Sequence, residues 1–243
     1  MATWATHLMI ADKLLVSFPT LDRRGFCVGN IAPDCNIENA DWSEFTPPRE
    51  ITHWMRGKEK SSDDCEAFRA EHLERRRGMI SSAENYAFLL GYYSHLLTDV
   101  AFQNMLRDVA RVKSAWERII SCPDLCGQSA GLERNWDSLK KIVPKHDRIR
   151  ELEYLEALYL RDHPDSGYLT VILPLEDFPD YLDYLPHGCI ARKVRLMTIP
   201  CPDPIRLISI SKEEFDSFAD YTASLVADKL RQIAPFEECV PIV

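Results

Sequence analysis

Long apolar runs are missing from this 243-residue chain. No stretch approaches the ~20 residues that a helix needs to span a bilayer, so a transmembrane segment is excluded at the level of sequence. A secretory leader is not visible either. The apolar stretch from Met1 to Val16 is interrupted by His7, Asp12 and Lys13 and lacks a basic leading region. Basic runs are scarce. Arg75-Arg76-Arg77 is the exception, it sits in a mixed-charge segment, and the formal net charge is -9. A nucleic-acid or anionic-membrane patch is therefore not expected. The eight cysteines are scattered rather than arranged as a dense framework, which fits reduced thiols in a cytoplasmic protein. The pair Cys122 and Cys126 has no second pair at zinc-finger spacing. There are no internal repeats and no low-complexity tract.

What is present is ordinary globular composition, 46% hydrophobic and 28% charged, with enough length for one well-buried core. The periodicity is mostly helical, so the expected fold is all-α: a single multi-helix domain over residues 1–243. Thr3 caps a first helix to about Val16. Residues 25–50 look irregular, with Pro33, Pro47 and Pro48. A charged helix opens at Ser61 and closes near Gly78. Ser81-Ser82-Ala83-Glu84 reads as a capping box for a long helix from about Ala83 to Val109, extending toward Ile120. Further helices are expected near 128–143 and 147–161. Residues 168–210 change character, with short β-branched runs broken by prolines, and read as a loop-rich excursion with a small hairpin. Ser211-Lys212-Glu213-Glu214 is a capping box for a last helix to about Ile233.

Five side chains suited to metal ligation lie in the first hundred residues: His7, Asp34, His53, His95 and Asp99. Imidazole with carboxylate suits zinc and its first-row neighbours. His95 and Asp99 stand four apart, so they share one face of a helix that is apolar nearly all round and therefore central. Burying that pair is costly unless it is hydrogen-bonded or metal-bound. Gly91, one turn earlier, leaves room on the same face. Asp34 follows Ala32-Pro33 in a stiffened turn after Gly29-Asn30. His53 lies in Thr52-His53-Trp54, where Thr52 can orient the imidazole from behind. Each has a plain alternative: an internal His–Asp bond, a turn aspartate, a surface histidine packed on tryptophan, or a core histidine.

In combination, Thr6-His7, Gly29-Asn30-Ile31-Ala32-Pro33-Asp34, Thr52-His53-Trp54 and Gly91-Tyr92-Tyr93-Ser94-His95-Leu96-Leu97-Thr98-Asp99 resemble the zinc-dependent phospholipase C family, and more distantly the related all-helical zinc nucleases. The resemblance spans about Thr3 to Gln103. It implies that Asp34, His53, His95 and Asp99 hold one zinc, that Asp99 bridges to a second zinc held also by His7, and that Asp34 serves the attacking water. Two-metal clamps of this kind hold their ions roughly 3.5–4 Å apart. The chain departs from the family in two places. Secreted members use the amine of an N-terminal tryptophan, whereas Trp4 is internal. The third metal's histidine has Met105 near its place, and no His-x-x-x-Glu follows: His146, His163 and His187 lack that pattern. His72 is a candidate substitute, although its charged neighbours suit a solvated helix face. The adjacent His146-Asp147 pair reads as a helix start. One or two zinc ions are thus implied, with the third set incomplete.

The resulting expectation is a metal-dependent hydrolase of phosphoesters, phospholipase C-like, in which an activated water attacks phosphorus and Asp34 orients or deprotonates it. Its substrate would be a small phosphoester or a phospholipid head group, with Trp42, Trp54, Tyr92, Tyr93 and Phe102 as candidate pocket walls. The rival expectation is a non-catalytic, metal-stabilised protein that binds a partner through residues 168–210. Oligomeric state is not legible.

Overall fold

The computed structural model describes residues 2–57, 59–196, 203–233 and 235. The first helix, α1 (Trp4–Ser17), starts where the Thr3 side chain accepts from the Thr6 amide. After it come α2 (Arg23–Gly29), capped by Asp22, and a 3-10 turn at Ala32–Asp34 with Pro33 at its start. Two short antiparallel strands follow, β1 (Ile37–Glu38) and β2 (Phe45–Thr46), pairing Ile37 with Thr46 and Glu38 with Phe45. Next come α3 (Arg49–Thr52) and α4 (Ser62–Phe68), the latter continuing in wider turns over Arg69–Arg75. The long helix α5 (Ala83–Arg107) buries nearly every residue from Asn85 to Asp99. Beyond it lie α6 (Val109–Ser121), α7 (Pro123–Cys126), α8 (Trp136–Ile142), α9 (Lys145–Asp162), α10 (Cys189–Val194) and α11 (Lys212–Leu230). Described residues are all-α apart from the two-stranded sheet.

The packing of α2 on α5 positions the site. A Cβ on Gly29 would lie 2.1 Å from the Phe88 carbonyl oxygen, and one on Gly91 would lie 2.2 Å from the Phe26 carbonyl oxygen. The two backbones can touch only because both positions lack side chains. The room that Gly91 leaves on this face is taken by the neighbouring helix α2. The contact sets the register that brings Asn30 and the turn after it against His95. The main core gathers α1, α2, α5, α9 and α11 with residues 168–194, while a smaller apolar cluster joins Val112, Trp116, Ile119, Leu139, Ile142 and Ile208.

The structure corrects several expectations. No strand forms among the described residues of 168–210: Tyr168–Ile172 makes a wide helical turn, Cys189–Val194 is α10, and 203–210 forms no regular element. The β-branched run Thr170-Val171-Ile172 packs its apolar side chains into a helical core, and that burial overrides intrinsic preference. Part of the expected hairpin, 197–202, lies outside the described residues. The small sheet appears instead at 37–46. The irregular segment contains α2. The long helix is capped by Ser82, whose side chain accepts from Asn85, and not by a box at Ser81. It stops at Asp108, which caps α6. The expected helix at 128–143 forms only from Trp136. The box at Ser211 is present, with Glu214 returning its hydrogen bond.

Candidate metal centre

His7 on α1, Asp34 in the 3-10 turn, His53 at the end of α3, and His95 with Asp99 on α5 converge. His53 Nε2 lies 3.3 Å from Asp34 Oδ1 and 3.5 Å from Asp99 Oδ2. His95 Nε2 is 3.5 Å from the same Asp99 oxygen and 3.3 Å from His53 Nε2. His7 Nε2 faces the other Asp99 oxygen at 3.8 Å, and its ring stacks on His95 with centroids 3.8 Å apart. Asp99 thus meets three imidazoles, with its two oxygens turned to different ones. Two groups could each hold a metal ion: His7, His95 and Asp99, and Asp34, His53 and His95. The side chains of the three histidines and Asp99 are fully buried, whereas Asp34 keeps 14% of its side-chain surface exposed.

Backbone carbonyls orient two of the rings. His95 Nδ1 lies 2.8 Å from the Asn30 carbonyl oxygen and His53 Nδ1 3.2 Å from that of Arg49. A carbonyl only accepts, so both Nδ1 atoms carry the proton and both Nε2 atoms present lone pairs to the cluster. Thr52 Oγ1 also touches His53 Nδ1, at 3.0 Å. Neither nitrogen of His7 has a hydrogen-bond partner among the described residues.

Burial holds all three imidazoles neutral. It lowers His7 to about 3 against the opposing pull of Asp34, and it lowers His53 and His95 as well. Burial pushes Asp34 upward, but the neighbouring His53 and His95 imidazoles and the positive charge of Lys60 outweigh it and hold the carboxyl well below its ordinary value. Lone pairs and carboxylate oxygens therefore face one another with too few protons between them. That is a poor arrangement for a closed hydrogen-bond network and a suitable one for a cation. The residues present fit a metal such as zinc.

Lys60 is the group that sequence reasoning missed. Its ammonium touches the Asp99 carboxylate from a loop, and burial lowers its pKa to about 7. No local pattern marks a loop lysine as a partner for a helix residue 39 positions on. Glu156 on α9 was missed too. It is fully buried behind α1, taking bonds from the Thr3 and Thr6 hydroxyls and, at 3.1 Å, from the Thr6 amide. The backbone N–H of Ala2 donates to Asp99 Oδ1 at 3.3 Å. His72 joins neither metal group. It is buried against Trp54 and Phe68 rather than solvated. His146 is exposed beside Asp147, and His163 and His187 are exposed. Cys122 and Cys126 are free thiols.

The cluster opens through Asp34 into a cavity of about 550 Å³ whose walls include Trp4, Trp42, Phe45, Phe102, Leu152 and Ile210. Of the expected pocket aromatics, Trp42 and Phe102 line it. Trp54, Tyr92 and Tyr93 instead pack elsewhere: Trp54 donates to the Tyr184 hydroxyl at 3.2 Å, Tyr92 to the Thr52 carbonyl, and Tyr93 to Glu66 at 3.0 Å.

Fold and site together define a helical protein with a buried His/Asp centre beside an apolar cleft. The match is to the zinc-dependent phospholipase C family, whose model covers residues 6–102. That segment contains all five converging side chains and ends before α6 begins. No curated protein and no solved structure matches the chain. Among the described residues, no helix is long and apolar enough to cross a membrane.

Proposed function

We propose that the chain is a zinc-dependent phosphoester hydrolase of phospholipase C type. The observation that carries this reading is Asp99, a buried carboxylate whose two oxygens face His7 on one side and His53 and His95 on the other. Asp34, His53 and His95 would hold one ion with Asp99, and His7 with Asp99 a second. Zinc bound there would polarise a phosphoryl oxygen and lower the pKa of water toward neutrality. The chain's own groups do the rest. The backbone carbonyls of Asn30 and Arg49 fix two imidazoles with Nε2 inward. Asp34, ionised and partly exposed at the cavity mouth, accepts the proton of the attacking water and orients it toward phosphorus. The apolar walls take the hydrocarbon part of the ester and exclude bulk water.

A second reading is a non-catalytic protein that uses its C-terminal half to bind a partner. One observation favours it: Lys60 already supplies a cation to Asp99. Zinc analysis of protein purified without added metal, with turnover of a generic phosphodiester, separates the two. Bound zinc with turnover supports the hydrolase, and bound zinc without turnover of any phosphoester supports the second reading.

A further inference from the structure

Four basic side chains line the cavity beside Asp34: Arg49, Lys145, Arg148 and Lys193. Asp34 is the single acidic one. On a chain of net charge -9, this is a local reversal of sign. The four do not have equal freedom. Arg148 donates to the Val143 carbonyl at 2.7 Å and stacks on Trp136. Lys193 is buried and paired with Glu38, which Arg192 also holds. Arg49 and Lys145 make no side-chain hydrogen bond or ion pair among the described residues, so their charges are available to a ligand.

Lys193 has a second consequence. Its ammonium lies 5.0 Å from the centroid of Trp42 and 5.6 Å from that of Phe45, and those two rings meet edge to face. Two aromatic faces with a carboxylate beside them are the ingredients of a quaternary-ammonium site. Here Lys193 already covers both faces and neutralises the carboxylate of Glu38.

On the footing of the phosphoesterase reading, we propose that this cleft selects amphiphilic phosphoesters of net negative charge and excludes those with a choline-type head group. The hydrocarbon chain lies along the apolar wall, Arg49 and Lys145 balance the negative charge of the phosphodiester, and Lys193 repels a trimethylammonium group from the Trp42–Phe45 pair. Selection against the wrong head group through a like charge is as much a part of the design as attraction of the right one.

The test uses zinc-restored full-length protein with two esters of identical chains below their micellar concentrations: dihexanoyl phosphatidylglycerol and dihexanoyl phosphatidylcholine. Binding is followed by tryptophan fluorescence and turnover by release of the phosphorylated head group. A charge-assisted contact of ordinary strength predicts about 10- to 100-fold tighter binding of the phosphatidylglycerol. Arg49→Gln is expected to weaken phosphatidylglycerol binding by about 10-fold. Lys193→Met is expected to improve phosphatidylcholine binding. If that variant does not fold, as its melt would show, the wild-type comparison and Arg49→Gln still decide. Equal binding of the two esters, or preference for choline, overturns the proposal while hydrolysis of either ester leaves the phosphoesterase reading standing. Preferential binding without turnover supports the head-group selection and contradicts the hydrolase. Glycerophosphoglycerol, which has no chains, binding as tightly as the dihexanoyl ester would overturn the amphiphile part.

Discussion

The Lys60 ammonium rests against the Asp99 carboxylate at the centre of the histidine cluster. A lysine and a metal ion are alternative partners for that buried charge. Removing one partner of a buried pair costs about 3–5 kcal/mol when the other is left uncompensated. Lys60→Met is therefore expected to lower the melting temperature of chelated protein strongly and that of zinc-loaded protein much less. Equal losses in the two states would show that Lys60 and metal do not share Asp99.

Asp99 turns one oxygen to His7 and the other to His53 and His95, whereas His7 stands on one side only. Asp99→Asn should therefore lose more zinc than His7→Ala when both are measured by elemental analysis. Loss of one identical equivalent from each variant would argue for a single ion.

Asp34 is partly exposed at the cavity mouth, while His95 is wholly enclosed. Asp34→Asn should keep the fold and lower turnover by about 10²–10⁴-fold, the usual worth of a general base, with any loss of ligation adding to it. His95→Ala should lose both metal and stability, because it strips Asp99 of a neighbour. A chelator should lower the melting temperature of wild type and Asp34→Asn clearly and that of His95→Ala little, since a ligand stabilises only what binds it.

Glu156 gives a pH dependence of defined sign. Burial raises its carboxyl from the ordinary 4.5 to about 7, against three hydrogen bonds from Thr3 and Thr6 that favour the charged form. The folded state holds the proton more tightly, so the contribution of Glu156 to stability is full below pH 4.5 and is lost as pH rises to about 7. The shift corresponds to about 3 kcal/mol in total, taking ~1.4 kcal/mol for each pH unit. The buried histidines act in the opposite sense, because they must charge as the pH falls below 6.5. Their effect cancels in a comparison of wild type with Glu156→Gln. The stability difference between the two should move in favour of the variant between pH 4.5 and 7 and stay flat above. A difference independent of pH would show that Glu156 is ionised throughout.

The site was more legible than the fold around it. His95 and Asp99 could be paired from sequence because a four-residue step on a helix dictates a shared face. His7, Asp34 and His53 were legible only as a set of short motifs in a particular order, since no local rule predicts which loop meets which helix. The α2–α5 contact was half visible: Gly91 stood out, but its meaning depends on Gly25 and Gly29 across the interface. Residues 168–172 misled because their β-branched side chains serve burial in a helical turn. Lys60 and Glu156 left no signal, as each acquires its role only from partners distant in the chain.

The central claim is that the His/Asp cluster is a zinc centre that hydrolyses phosphoesters, and chelation with zinc add-back tests it most directly. Phosphodiester turnover should vanish when zinc is removed from the purified protein and return in wild type, but not in Asp99→Asn, when zinc is restored. Protein that binds no zinc, or that binds zinc and turns over no phosphoester, would contradict the account.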